Sequence, residues 1–193
     1  MDLKKILSPE RLKAFDIVDF AYTEVSKAES FDHFHQWLEK NHQGPLSYLS
    51  GSRGEMREDL KNYFPYFQSA LVFLFSYKSS KQALEEIYLR PSWNGLKLAA
   101  YTLAFGGVDY HLRLKDQLQT LAQEITSTDP ELKSVLSFDV HPVLERDLAA
   151  RSGLGWFGKN SMLINKQHGS YCLLGAIIFS KKLPLEIRMK ETD

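Results

Sequence analysis

The chain has 193 residues, of which 44% are hydrophobic, which suffices for one domain with a substantial core and excludes a disordered protein. Its 24 basic residues balance 24 acidic ones, which excludes nucleic-acid binding through overall charge, so an RNA partner would need a local patch. A single cysteine excludes an intrachain disulfide, and the sequence has neither a membrane-length apolar run nor a signal peptide, so we expect a cytoplasmic protein with no membrane partner.

Strand-like and helix-like stretches follow one another through the first half of the chain. Apolar residues alternate over residues 16–25, which predicts a first strand, and Ser30 is placed to cap the helix that follows it. The continuous apolar run over residues 70–77 predicts a central strand that is buried on both faces. Residues 81–89 then have a helical pattern.

The second half of the chain contains a long helix and a strand that ends at an acid. Asp109 opens a helix that is predicted to continue to about residue 126. The apolar run over residues 134–138 predicts a strand with Asp139 at its end. Pro142 suits the first position of a further helix, which we expect to run to Arg151.

Two short apolar runs after the glycine-rich stretch complete the predicted sheet. Residues 161–164 and 171–178 are expected to pair as a hairpin, with Gly169 available for a positive φ in the turn. The sequence therefore predicts an α/β (α+β) fold with a mixed β-sheet flanked by helices.

The glycine-rich stretch from Gly153 to Ser161 imitates two nucleotide-binding motifs. Its letters fit G-x-G-x-x-G, but a helix precedes the glycines and a strand follows, which is the reverse of the order that a dinucleotide site requires. A phosphate-binding loop is excluded by the same order and by Asn160, which stands where that motif needs Ser or Thr. Gly153 is expected to end the preceding helix.

The motifs of this region resemble those of the epoxyqueuosine reductase family. The resemblance is carried by the continuous stretch from Asp139 to Asn160 and by Gly169-Ser170-Tyr171. Further matches occur upstream in the same order: Trp37-Leu38-Glu39, Gly44 to Leu49, Arg57, Pro65 and Asp109-Tyr110-His111. The resemblance covers nearly the whole chain and implies a single cobalamin-binding domain over residues 1–193, with a fold like that of the cobalamin-binding reductases and nitroreductases.

The resemblance also implies a reaction. Members of the family are oxidoreductases that reduce epoxyqueuosine to queuosine in tRNA, the last step of queuosine biosynthesis, by removing the epoxide oxygen as water. The implied cofactor is cobalamin, and a monomer is expected. The implied partner is the anticodon loop of a tRNA that carries epoxyqueuosine, which is expected to be contacted mostly through regions of the family that this chain does not contain. A candidate RNA patch near the end of the chain, alternatively a solvated tail, comprises Lys181, Lys182, Arg188 and Lys190.

The resemblance also points to specific residues. Asp139 is expected to be the proton donor, with Arg146 orienting the acid or the substrate. Since small residues let a backbone approach a large flat ligand, the glycine loop supplies part of the expected cofactor contacts. The full set of expected cofactor contacts is Arg57, Thr102, Asp139, Lys159, Asn160, Ser161 and Leu174. His111 is assigned to capping and packing rather than to cobalt, and Cys172 to the core.

The chain departs from the family at one large feature. The family continues into a ferredoxin-like domain with two 4Fe–4S clusters held by C-x-x-C-x-x-C runs, whereas Cys172 is the single cysteine here. We therefore expect a truncated protein or an isolated domain with no metal site of its own. Such a chain could bind cobalamin, but it is expected to lack turnover without the iron–sulfur domain that passes electrons to the cofactor. Two alternatives remain open: a flavin-dependent, nitroreductase-like oxidoreductase, and a non-catalytic cobalamin- or tRNA-binding module.

Overall fold

The computed structural model describes residues 3–127 and 129–184. Its strands are β1 Ile17–Thr23, β2 Ser69–Ser76, β3 Ser134–Ser137, β4 Trp156–Phe157, β5 Leu163–Ile164 and β6 Cys172–Phe179. Its α-helices are α1 Leu3–Ile6, α2 Pro9–Ala14, α3 Phe31–Glu39, α4 Gly51–Glu55, α5 Leu60–Tyr63, α6 Lys78–Tyr88, α7 Tyr110–Thr126 and α8 Glu145–Arg151. Short 3₁₀ segments lie at Ser47–Leu49, Met56–Glu58 and Ala100–Gly107.

A four-stranded sheet in the order β1-β2-β6-β3 forms the centre of the molecule. All three pairings are antiparallel, whereas the sequence analysis expected a mixed sheet; the predicted class, helices flanking a sheet, is confirmed. Strand β2 is buried along nearly its whole length, as its continuous apolar run predicted. It lies between β1 and β6, an interior position in the sheet.

Helices cover both faces of this sheet. Because side chains alternate along a strand, Phe73 of β2 faces the cluster that contains Leu118 of α7, and Leu74 faces the cluster that contains Leu148 of α8. Helices α1 and α2 add to the α7 side through Leu3 and other apolar residues. The site described below lies where the N-termini of α7 and α8 meet the end of β3.

Two local predictions were wrong. The last helix begins at Glu145 rather than at Pro142, because residues 138–143 are held in tight turns by backbone bonds from Val140 to Phe138 and from Val143 to His141. The expected hairpin between residues 161–164 and 171–178 does not form. β6 pairs along its whole length with β2 and over residues 176–179 with β3. β5 instead pairs with β4 in a separate two-stranded sheet, because Gly155 lets that part of the chain approach the backbone of Ile164 closely.

Candidate active site

Asp139 lies in the exposed turn after β3, at the point where three elements meet. Its φ is +37°, an unusual value for a residue with a side chain. The Tyr110 hydroxyl donates to Oδ2 of Asp139 over 2.5 Å, and Nε2 of His111 lies 3.1 Å from the same oxygen. One carboxylate oxygen therefore contacts two side chains from the first turn of α7.

The N-cap of α7 orients His111. The Asp109 side chain accepts a hydrogen bond from the backbone N–H of His111 over 2.8 Å, as expected of an N-cap, and its Oδ1 also lies 2.9 Å from Nδ1 of the imidazole. With a proton on Nδ1 directed at Asp109, Nε2 is left to share a proton with Asp139. Asp109, His111 and Asp139 thus form a line along which a proton can pass. These hydrogen bonds from His111 also lower the pKa of Asp109.

The phenol of Tyr110 stays in its neutral, hydrogen-donating form. Burial raises the pKa of Tyr110 well above its usual value, and the hydrogen bond and negative charge of Asp139 raise it further. The ring of Tyr110 also stacks on His111 with centroids 3.9 Å apart. Tyr110 can therefore stabilise a negative charge on Asp139 without giving up its own proton.

A second acid, Glu145, lies at the start of α8. Its Oε1 atom is buried and has no hydrogen-bond partner among the described residues. Burial raises the pKa of Glu145 to about 7, with the charge of Asp139 adding to the rise, although its own backbone N–H, Arg57 and Arg146 oppose it. This carboxyl group can accordingly hold a proton near neutral pH.

The glycine loop is fastened to α8 and to β5. Gly153 ends α8 with φ +83°, and the bonds from its N–H to Ala150 and from the next N–H to Ala149 form the predicted helix C-cap. A Cβ atom on Gly155 would lie 2.2 Å from the carbonyl oxygen of Ile164, so only glycine fits there. This close approach brings the loop against the two-stranded sheet.

The same loop presents uncovered apolar side chains. Arg146 donates to the carbonyl oxygen of Ser161, which holds the loop near the start of α8. Trp156, Phe157 and Met162 are exposed around it, Trp156 by 52%. Contiguous exposed apolar side chains of this size are typical of a ligand or interaction surface.

The residues that are predicted to contact the cofactor lie on several different elements of the fold. Lys159 and Asn160 are exposed on the glycine loop, and Asn160 accepts a hydrogen bond from the backbone of Met162. Arg57 is buried and donates to the carbonyl oxygen of Arg53 over 2.5 Å.

The two remaining contacts lie on other elements. Thr102 is exposed next to Tyr101, and its hydroxyl donates to the carbonyl oxygen of Ala99. Leu174 is half-buried on β6 opposite Leu74.

Two other sequence predictions concern charge and the cysteine. In the candidate basic patch, Lys181 and Lys182 are paired with Asp129 and Glu24, and Arg188 and Lys190 lie outside the described residues. Cys172 is half-buried, and burial raises its pKa to about 12, which suits the predicted packing role. Across the described ranges, no cluster of three or more His, Cys, Asp or Glu side chains could hold a metal ion.

Sequence reasoning missed three residues of the site. Tyr110 and His111 lie 29 and 28 positions before Asp139, and the contact depends on the packing of α7 against the end of β3. The available signal was the Asp109-Tyr110-His111 triplet at a helix start. Glu145 was treated as one of several polar helix residues, and its burial has no local sequence signal.

A groove reaches this site from solvent. It has a volume of about 620 Å³ and runs between α7 and β3, with His111, Leu112, Leu136 and Val140 among its lining residues. The groove gives water access to the imidazole.

In residues 3–127 and 129–184, no helix combines the length and the hydrophobicity that spanning a bilayer requires.

Comparison with known proteins gives one consistent result. A family model described as epoxyqueuosine reductase QueG, DUF1730, matches residues 57–140. An epoxyqueuosine reductase from Cyclobacterium marinum is 33% identical over 170 residues, which are 86% of this chain and 51% of that protein. The chain thus spans about half the length of the curated relatives it matches.

Solved structures agree in fold. An epoxyqueuosine reductase from Streptococcus thermophilus superposes with a TM-score of 0.72 at 21% identity, over 97% of this chain and 48% of that one. A second epoxyqueuosine reductase structure, with a tRNA-Tyr epoxyqueuosine-modified tRNA stem loop, gives a TM-score of 0.65 at 21% identity, over 98% of this chain and 49% of that one.

Proposed function

The chain belongs to the epoxyqueuosine reductase family, and we propose that it is the cobalamin- and substrate-binding part of an enzyme that reduces epoxyqueuosine to queuosine in tRNA. The observation that carries this proposal is the pair of contacts that Tyr110 and His111 make to one oxygen of the exposed Asp139. An enzyme with this substrate would act in the cytoplasm.

The reaction needs two electrons and two protons. Two C–O bonds of the epoxide break, a carbon–carbon double bond forms, and the oxygen leaves as water. Asp139 would supply one proton from Oδ2 to the departing oxygen, because its carboxyl group is exposed and accessible to a bound substrate. Water that enters through the open groove would supply the second proton. The Tyr110 hydroxyl then stabilises the carboxylate that remains.

His111 would restore the proton. Its Nε2 lies 3.1 Å from Oδ2 of Asp139, its Nδ1 is held by Asp109, and the groove beside it is open to water. A proton taken up from water at the imidazole can therefore pass to Asp139 before the next turnover. Arg146 holds the glycine loop in place through the Ser161 carbonyl group.

The site has features that fit a large cofactor with a flat apolar face and polar edges. The exposed side chains of Trp156, Phe157 and Met162 offer apolar contact, and the buried Oε1 of Glu145 has no partner among the described residues. Bound cobalamin would supply the electrons for the reduction. The residues that we expect to hold it are Arg57, Thr102, Asp139, Lys159, Asn160, Ser161 and Leu174. Iron–sulfur clusters are expected only from the further domain of the family, because Cys172 alone cannot ligate one.

An anaerobic titration with cob(II)alamin tests this proposal. The visible spectrum of the cofactor and the tryptophan fluorescence are followed for the parent chain, for Asp139→Ala and for Asp116→Ala, a control that removes an exposed carboxylate from α7. We expect saturable binding with a perturbed spectrum, a different spectrum with Asp139→Ala, and parent behaviour with Asp116→Ala. An unperturbed spectrum at a large excess of cofactor would contradict the proposal.

A further inference from the structure

The segment of residues 88–98, between α6 and the 3₁₀ segment Ala100–Gly107, exposes an unusual amount of apolar surface. Leu89 is 83% exposed, Leu96 is 88% exposed and Leu98 is 60% exposed, and Trp93 is also exposed. Soluble proteins bury most side chains of this kind or use them for binding. We infer that the 88–98 segment is the surface on which the single-stranded loop of the substrate RNA stacks, an inference that rests on the proposed function.

The aromatic rings of this segment are held in a defined arrangement. The rings of Tyr88 and Trp93 lie 5.3 Å apart, between centroids. The Tyr88 hydroxyl accepts from the backbone N–H of Leu98 over 2.8 Å and donates to its carbonyl oxygen over 3.2 Å, which closes the segment onto the end of α6. The ammonium group of Lys97 lies 5.8 Å from the centroid of the Tyr88 ring. Aromatic faces next to a cation are the combination that binds unpaired bases and their phosphates.

The local charge favours a negatively charged partner. Residues 78–101 contain four basic residues and two acidic ones, in a chain whose net charge is zero. Lys81 pairs with Glu85 at 2.5 Å, which leaves Lys78, Arg90 and Lys97 against the single carboxylate of Glu86. Stacking provides binding that is independent of base sequence, and the cations meet the backbone phosphates.

The segment leads directly to the active site. Leu98 precedes Tyr101 by three residues, a distance of at most about 11 Å along the chain. The ring of Tyr101 contacts that of Tyr110 with centroids 5.5 Å apart, and Tyr110 donates to Asp139. A nucleoside that enters the site beside Asp139 would therefore have its neighbouring nucleotides over the 88–98 segment.

Fluorescence anisotropy with a labelled tRNA-Tyr anticodon stem loop tests the inference. The parent chain is compared with Trp93→Ala, Trp93→Phe and Lys97→Ala, and with Lys13→Ala as a control that removes an exposed lysine from α2. Each protein is titrated at several salt concentrations. Circular dichroism and thermal unfolding establish that the variants are folded, which the exposure of these side chains leads us to expect.

We expect Trp93→Ala to weaken binding about five- to hundredfold and Trp93→Phe to retain most of it, since a phenyl ring can still stack. Lys97→Ala should lower the slope of log K against log salt by about 0.7, the value for one phosphate on a single strand. Lys13→Ala should match the parent chain. Binding of the stem loop by the parent chain should also quench tryptophan fluorescence, and this quenching should decrease in Trp93→Phe.

Three results would overturn the inference. The first is that the parent chain and Trp93→Ala bind the stem loop with equal affinity, and the second is that the parent chain does not bind the stem loop. The third is that the parent chain self-associates and that Leu96→Ser abolishes this self-association without changing RNA binding. The cob(II)alamin titration is independent of RNA, so a failure of this surface and a failure of the proposed function can be told apart.

Discussion

Glu145 gives the most quantitative prediction of the structure. Burial raises its pKa to about 7 from the model-compound value of 4.5, so the folded chain binds one more proton than the unfolded chain between these two values. Stability from this group is therefore fully present below about pH 4.5 and is lost as the pH rises towards 7. This difference of about 2.5 between the two pKa values corresponds to about 3 kcal/mol in the free energy of unfolding.

The substitution Glu145→Gln removes this titration and keeps the shape of the side chain. Urea unfolding followed by tryptophan fluorescence between about pH 4 and pH 8 gives the free energy of unfolding of each protein. We predict that the stability of Glu145→Gln relative to the parent chain rises by about 3 kcal/mol across this range. Glu131→Gln, at an exposed position, controls for the loss of a surface charge. Parallel curves for the parent chain and Glu145→Gln would refute the reasoning.

Further predictions concern the relay, the glycine loop and a buried ion pair. With chemically reduced cobalamin in excess as the source of electrons, His111→Ala should slow repeated turnover about 10²-fold or more but leave the first proton transfer from Asp139 less affected. Multiple- and single-turnover rates of epoxyqueuosine reduction would compare the two, and an equal loss in both would argue against a relay. Gly155→Ala should lower the free energy of unfolding, measured in urea, by about 3 kcal/mol or more, because the new Cβ would lie 2.2 Å from a backbone oxygen. A loss below about 1 kcal/mol would show that the loop can move away. Asp147→Ala should lower the free energy of unfolding by about 3–5 kcal/mol, because it removes the carboxylate that lies 2.8 Å from the buried guanidinium of Arg151. Thermal unfolding would measure this loss, and a near-neutral effect would mean that water reaches the pair.

The elements that could be predicted from the sequence are those whose pattern is local. The apolar run of β2 predicted a strand buried on both faces, because residues 70–75 have no polar side chain. Helix α7 was predicted from its cap at Asp109 and its apolar stripe. The resemblance to the family drew attention to Asp139, which the structure places in an exposed turn next to α7.

The remaining features depend on contacts between distant parts of the chain. The partner of β5 could not be predicted, because its pairing with β4 depends on how closely the chain at Gly155 packs against Ile164. The start of α8 at Glu145 depends on turns that fix residues 138–143. The contact of His111 with Asp139 and the burial of Glu145 arise only when α7, α8 and β3 pack together.

A single-turnover assay tests the central claim most directly. The parent chain and Asp139→Ala are mixed anaerobically with chemically reduced cobalamin and a stem loop that contains epoxyqueuosine, and the nucleosides are analysed by mass spectrometry after digestion. We predict that the parent chain forms queuosine and that Asp139→Ala forms it about 10²- to 10⁴-fold more slowly, the usual contribution of a positioned acid. Equal rates for the two proteins, or no queuosine from the parent chain, would contradict the role assigned to this site.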